Sequence, residues 1–208
     1  SKFDWRQLAT PEGFANDPVA VHGFYNARRQ GLVSAEPHAA HSALAELEAG
    51  WLARGGDFLL VTQNIDDLHE RAGSRALVHM HGELFKARCG ACDTVTMCRG
   101  DLSIRDACAA CGREGQMRPH VVWFGEIPLG MEEIFAALES ATHFAAIGTS
   151  GTVWPAAGFA EAAKAALPLA ATTAWTIATG ASNRSPHCCA ASRAVSAAMR
   201  NSLSSNVI

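Results

Sequence analysis

Two C-x2-C pairs separated by fifteen residues, Cys89 and Cys92 followed by Cys108 and Cys111, constrain this chain more than any other feature. Each pair can deliver two thiolates to one point, and two pairs at this spacing match a tetrahedral four-thiolate zinc ribbon. Four thiolates leave no coordination position for water, so the zinc expected here is structural. Seven cysteines is an odd number, and Ser1 to Trp5 contain no apolar signal-peptide core. In that setting the pairs favour metal over disulfides, and Cys98, Cys188 and Cys189 are expected to be free thiols.

The ribbon, about Arg88 to Arg118, interrupts an alternation of strands and helices. Thr10-Pro11-Glu12 reads as an N-cap, a proline at the first helical position and an acidic first turn. From Ala39 to Arg54, Leu44, Leu47 and Trp51 recur at i, i+3 and i+7 on one helical face, and Gly55-Gly56 stops the helix. Phe58 to Val61 is a short continuous apolar run, as expected of a parallel strand buried on both faces. His120 to Phe124 and Phe144 to Ile147 have the same character, and Gly130 to Ala141 between them carries Ile134 and Leu138 on one helical face. This rhythm predicts an α/β doubly wound parallel sheet, a Rossmann-like domain over 1–87 and 119–170 with a small helical insertion near 10–38. The zinc module occupies 88–118.

Composition narrows the function classes. With 49% hydrophobic residues among 208, the chain can bury a sizeable core, while a net charge of -3 and a pI near 6.3 supply no basic field for nucleic acid. No apolar run approaches the roughly 18 residues that span a bilayer. The chain reads as cytoplasmic, with no membrane partner. All 20 acidic residues lie at or before Glu161, so residues 1–161, with 13 of the 17 basic ones, carry -7 and residues 162–208 carry +4. At the earlier density roughly six acidic residues would fall among the last 47. Residues 171–208 are therefore read as an aberrant tail, the composition a frameshifted reading would give.

Gln63, Asn64, Ile65 and Asp66 stand at the carboxyl end of the Phe58 to Val61 run, where open α/β sheets bind ligands. Amide and carboxylate groups there suit a ribose or a carboxamide; they equally suit capping of the next helix. Gly148, Thr149 and Ser150 have the small, hydroxyl-bearing character of a loop that lets backbone approach a phosphate or ribose, or of a plain turn. His81 is a candidate general base, with His79 as its rival on the same strand face. Tyr25 and Arg28, three apart on an expected helix, can offer a phenol and a guanidinium to one carboxylate. The bland alternative is a packed aromatic beside a solvated arginine.

Together these segments closely resemble the sirtuins, NAD-dependent protein-lysine deacylases, and most closely the class III, bacterial CobB type. The resemblance runs from about Leu8 to Glu161: ATPEGF at 9–14, FYNARR at 24–29, TQNIDDLHERAG at 62–73, HMHGEL at 79–84, the four cysteines, RPHVVWFGE at 118–126 and GTSGTVWPAAG at 148–158. It implies a dinucleotide-binding domain plus a zinc domain, with NAD and acyl-lysine meeting between them. By motif it makes His81 the catalytic base, gives Gln63, Asn64, Ile65, Asp66, Gly148, Thr149 and Ser150 to NAD, and makes Val122, Trp123 and Phe124 the edge on which a substrate peptide adds as a strand. Tyr25 and Arg28 match the pair of members that prefer succinyl and malonyl groups. The implied products are nicotinamide, O-acyl-ADP-ribose and free lysine, from acylated lysines of proteins.

The resemblance also predicts a glycine-rich GAGIS segment before Ser1 and an N-x-E adenosine contact near Ala170 to Gly180, and neither is present in the chain. The fold is thus expected to be incomplete at both ends, with weak NAD binding by the 208-residue chain. Two other function classes compete: a zinc-ribbon interaction module and a catalytically dead relative that only holds acyl-lysine peptides.

Overall fold

The computed structural model describes residues 5–166 and 174–177. By compactness the chain divides into one unit of Ser1–Pro37 with Leu60–Gly130 and another of His38–Leu59 with Met131–Ile208.

The first unit opens with helices α1 (Trp5–Leu8), α2 (Pro11–Asn16) and α3 (Pro18–Val33). Thr10 caps α2 as its sequence predicts, its Oγ1 accepting from Gly13 N–H at 2.9 Å. Asp17 does the same for α3, accepting from Ala20 N–H at 2.9 Å, so Pro18 sits where a missing N–H costs nothing. Helix α3 buries Val21, Tyr25, Arg29 and Leu32, at the i, i+4, i+8, i+11 spacing of one face. That face joins Leu8, Leu84, Phe85, Val121 and Trp123 in the main core.

Strand β1 (Leu60–Thr62) pairs in parallel with β2 (Leu77–His79), Thr62 standing opposite His79, and α5 (Leu68–Ala72) lies between them in sequence. Strand β3 (Gly82–Cys89) then runs antiparallel to both β4 (Val95–Met97) and β5 (Met117–Val121). This corrects one expectation: the apolar run 120–124 is not a parallel strand. Its first two residues end β5, and Val122 to Phe124 leave the ladder. A short apolar run reports burial, not the direction of the neighbouring strand. Arg29 of α3 ties the helix to this sheet, donating from Nε to the Leu84 carbonyl at 3.0 Å and from a terminal nitrogen to Gly100 O at 3.2 Å. Asn26 adds a reciprocal pair with the Leu102 backbone.

The second unit contains α4 (Ala39–Leu52), α6 (Met131–Ser140), β6 (Phe144–Ile147), α7 (Phe159–Ala166) and β7 (Ala174–Ile177). Helix α6 buries Ile134 and Leu138, as their spacing predicts. In α4 the most buried residues are His41 and Glu48 rather than the Leu44, Leu47 and Trp51 stripe, which is half-buried. Apolar periodicity located the inward face, but not the polar residues sharing it. Strands β6 and β7 pair in parallel over four residues, Phe144 opposite Ala174. Strand β7 falls within the segment read as an aberrant tail; the rest of that segment, with Cys188 and Cys189, lies outside the described residues.

Candidate active site and metal centre

The two cysteine pairs fold into two matching turns. Cys89 O accepts from Asp93 N–H at 2.9 Å and Cys108 O from Gly112 N–H at 2.8 Å; Cys89 N–H donates to Thr94 O and Cys108 N–H to Arg113 O, both at 3.0 Å. Each turn passes through a left-handed residue directly after its second cysteine, Asp93 at φ 56° and Gly112 at φ 71°. Gly112 adopts this without a Cβ penalty.

Cys89 Sγ lies 3.7 Å from Cys111 Sγ, and Cys92 Sγ lies 3.6 Å from Cys108 Sγ. All four sulfurs fall within 4.8 Å of one another. A tetrahedron with Zn–S bonds of about 2.3 Å has edges of about 3.8 Å, so the two short sulfur–sulfur edges match a zinc site and the cluster is of the size zinc requires. The Cys92 thiol is pulled down to about 6, first by its hydrogen bond to Thr94, while Cys111, despite its backbone hydrogen bond to Arg113, is pushed up to about 11 by burial and the neighbouring thiols, so the four are not equally poised as the thiolates a metal needs. Cys98 stands apart, its Sγ 3.5 Å from Gly100 O and its pKa raised by burial.

A cavity of about 400 Å³ in the first unit is lined by Gln63, Asn64, Ile65, Asp66, His81, Tyr25, Arg28, Val122 and Phe124, with Ala9, Phe24 and Val121. Nine of the expected first-unit site residues thus converge from α3, the loop after β1, the turn after β2 and the segment after β5. Gly148, Thr149 and Ser150 follow β6 in the second unit, where Thr149 Oγ1 accepts from Gly151 N–H at 3.2 Å and Ser150 Oγ lies 2.7 Å from Thr152 Oγ1.

His81 Nδ1 lies 3.1 Å from the Gln63 carbonyl. A carbonyl only accepts, so Nδ1 carries a proton, and in the neutral ring Nε2 is the nitrogen that keeps its lone pair. Burial lowers the His81 pKa, and the Gln63 carbonyl opposes this only in part. The shift favours the neutral ring, the form a base requires. Its neighbour Gly82 sits at φ 84°, and a Cβ there would lie 2.2 Å from His120 O. Only glycine lets β3 start this close to β5, which sets where His81 stands. His79 is placed differently: both of its ring nitrogens face acceptors, and it does not line the cavity.

Tyr25 is buried, with its hydroxyl accepting from Trp123 Nε1 at 3.0 Å. Burial raises its pKa, so the phenol remains a donor at neutral pH. Arg28 is exposed, stacks 3.6 Å over the Phe24 ring and forms no ion pair among the described residues. Trp123 is 2% exposed and points into the core instead of the cavity. The N–H groups of Val122, Trp123 and Phe124 are already engaged by His81 O, Glu126 Oε2 and Ala9 O. A peptide strand adding here meets side chains and carbonyls, not those donors.

Sequence reasoning missed what holds this segment. Arg118 donates to both Glu126 oxygens at 2.6 and 2.9 Å and to Val121 O at 2.9 Å, while its guanidinium covers the Trp123 ring at 3.4 Å. Burial alone would raise the Glu126 carboxyl, but the Arg118 hydrogen bond and charge hold it low. Opposite charges at the two ends of one motif were the available signal.

The Sir2 family profile matches residues 1–155. A protein of Caulobacter vibrioides named NAD-dependent protein deacylase is 56% identical over 165 residues, covering 79% of this chain and 69% of the relative. A Salmonella typhimurium protein of the same name is 58% identical over 159 residues, covering 76% of this chain and 57% of the relative. The chain therefore spans little more than half the length of some relatives. A solved structure described as a Sir2 homologue in complex with NAD has a TM-score of 0.72 and 34% identity, covering 84% of this chain and 72% of that one. The α/β Rossmann-like fold with a clustered four-cysteine module agrees with that likeness.

Proposed function

The chain belongs to the Sir2 family, and on that premise we propose that it is an NAD-dependent protein-lysine deacylase with a structural zinc and a preference for succinyl and malonyl groups. The observation that carries this reading is that one cavity joins His81, the amide and carboxylate groups of Gln63, Asn64 and Asp66, and the Tyr25 and Arg28 pair. Its volume of about 400 Å³ suits a nicotinamide riboside portion with an acyl chain.

NAD would supply a ribose carbon to take the acyl oxygen as its bond to nicotinamide breaks, and with one water consumed the acyl group would end on a ribose hydroxyl of ADP-ribose and the lysine amine would be freed. His81, held by the Gln63 carbonyl, takes the proton of a ribose hydroxyl at Nε2. Asn64 and Asp66 orient the nicotinamide and its ribose, Gln63 and Ile65 complete that wall, and Gly148, Thr149 and Ser150 serve the nucleotide as a second loop. Arg28 supplies the cation and Tyr25 the hydroxyl donor for a distal acyl carboxylate. Val122 and Phe124 contact the peptide, and Trp123 acts from beneath by orienting Tyr25.

The assignment of 1–87 and 119–170 to the nucleotide and 88–118 to zinc belongs to the same proposal. Reduced thiolate ligands suit the cytoplasm. No helix among the described residues is long and apolar enough to cross a membrane. Protein acyl-lysine is the partner class. Arginines of the zinc module are paired with acids, Arg88 with Asp93 and Glu126 and Arg118 with Glu126, which argues against a nucleic-acid face.

Calorimetric NAD titration with a nicotinamide-release assay on succinyl-lysine and acetyl-lysine peptides tests this. NAD-dependent release favouring the succinyl peptide is expected, at the high NAD concentrations that weak binding demands. Peptide binding without nicotinamide release, in this chain and in one extended at both ends, would establish the non-catalytic binding module instead.

A further inference from the structure

Four consecutive carbonyls lead from β1 into the cavity loop, and each accepts a hydrogen bond from the segment 79–84. Thr62 O accepts from Met80 N–H at 3.1 Å and Ile65 O from Leu84 N–H at 2.7 Å. Between them Gln63 O accepts from His81 Nδ1 at 3.1 Å and Asn64 O from His79 Nδ1 at 3.3 Å. The β1 and β2 ladder ends at Thr62 opposite His79. Past that point the backbone of 79–84 no longer supplies a donor at every step, and two imidazoles stand in at the two gaps. The loop carrying Asn64 is thereby held in place by a pair of histidines, only one of which faces the cavity.

The two rings differ in what lies on their far side. His79 Nε2 is 2.7 Å from Glu70 Oε1 of α5, and its side chain is only 8% exposed. Carbonyl and carboxylate both accept only, so a ring between them donates from both nitrogens and carries a full positive charge. We propose that His79 is a positioning residue that, as an imidazolium anchored by Glu70, pins the Asn64 carbonyl and so aims the Asn64 side chain into the cavity. Turnover then requires two histidines in opposite protonation states, His79 charged and His81 neutral. The proposal rests on the reading that this cavity binds the nicotinamide side of NAD.

The surroundings favour that charge. Burial opposes the cation on His79, but the Glu70 hydrogen bond and charge, with the Asn64 carbonyl and Glu83, outweigh it and raise the pKa. Glu70 responds in the opposite sense: burial would raise it, and the His79 contact brings it below the usual carboxylate value. The charged groups facing the ring are Glu70 of α5, with His69 beside it, and Glu83 of β3, itself paired with Lys86.

The signs predict a bell. Activity falls on the acid side as His81 gains a proton at its lowered pKa, and on the alkaline side as His79 loses its proton at its raised pKa. The test compares pH profiles of kcat/KM for nicotinamide release in the full chain, Glu70→Gln and His79→Gln, together with ring nitrogen NMR of the unaltered protein. Glu70→Gln is expected to move the alkaline limb to lower pH, and His79→Gln to remove it while lowering kcat/KM roughly tenfold, mostly through the KM for NAD. The acid limb stays in place in both. An alkaline limb unmoved by Glu70→Gln overturns the proposal, as does a His79 ring that is neutral at pH 7. If the unaltered protein releases no nicotinamide at any pH, the deacylase reading fails, and the nitrogen spectrum alone decides the charge of His79.

Discussion

The zinc module and the cavity solve the same problem, holding several side chains at one point, by opposite means. The module draws its four ligands from Cys89 to Cys111, in two turns that each close their own backbone hydrogen bonds. The cavity draws its lining from Ala9 to Phe124. No turn closes it. Side chains from one segment satisfy backbone of another, as His81 does for Gln63, His79 for Asn64 and Arg118 for Val121. A local site is stabilised by its metal and survives distant change, whereas a composite site depends on every buried polar link that aims it.

The largest effect that would break this comparison is loss of zinc. Chelation or Cys108→Ser should unfold the module, because a four-thiolate site contributes on the order of 10 kcal/mol to its own folding; loss of zinc by mass spectrometry alongside an unchanged thermal melt would show that the module does not depend on its metal. Next in size, His81→Ala should lower turnover by about 10² to 10⁴ while costing only about 1 kcal/mol of stability for the lost link to the Gln63 carbonyl. The rate of the unaltered protein should fall as pH drops through the lowered His81 pKa, since only the neutral ring accepts a proton.

Arg28→Met sharpens the comparison on the substrate side. Because a hydrogen bond to a charged group is worth about 1.5–3 kcal/mol, desuccinylation should fall roughly tenfold to a hundredfold while deacetylation holds. Equal losses for both peptides would remove Arg28 from carboxylate recognition. The smallest effect expected is that of Trp123→Phe, which keeps a ring under Arg118 but deletes the indole donor to Tyr25. That should cost about 1 kcal/mol in denaturant unfolding and weaken succinyl selectivity. An unchanged selectivity would make Trp123 purely a core residue.

Much of this was legible in the residues. The C-x2-C spacing sufficed for the zinc ligands, since each turn is decided within six residues. Thr10 announces its helix because capping is local. Ile134 and Leu138 mark a buried face by period alone. Tyr25 and Arg28 were legible as a pair, but which of them packs and which stays exposed was not, because that depends on Trp123, 98 positions along the chain.

The sequence by itself determined the metal site, the helix starts and the motifs that carry the family likeness, because each is a matter of neighbours along the chain. Tertiary structure alone decided between His79 and His81. The two share a strand parity and a residue type, and they differ only in what the fold sets against their second nitrogen: Glu70 for one, the cavity for the other. It also decided the direction of the strand ending at Val121 and the inward turn of Trp123. Apolar character records that a residue leaves water, and only the packed chain records what it meets there.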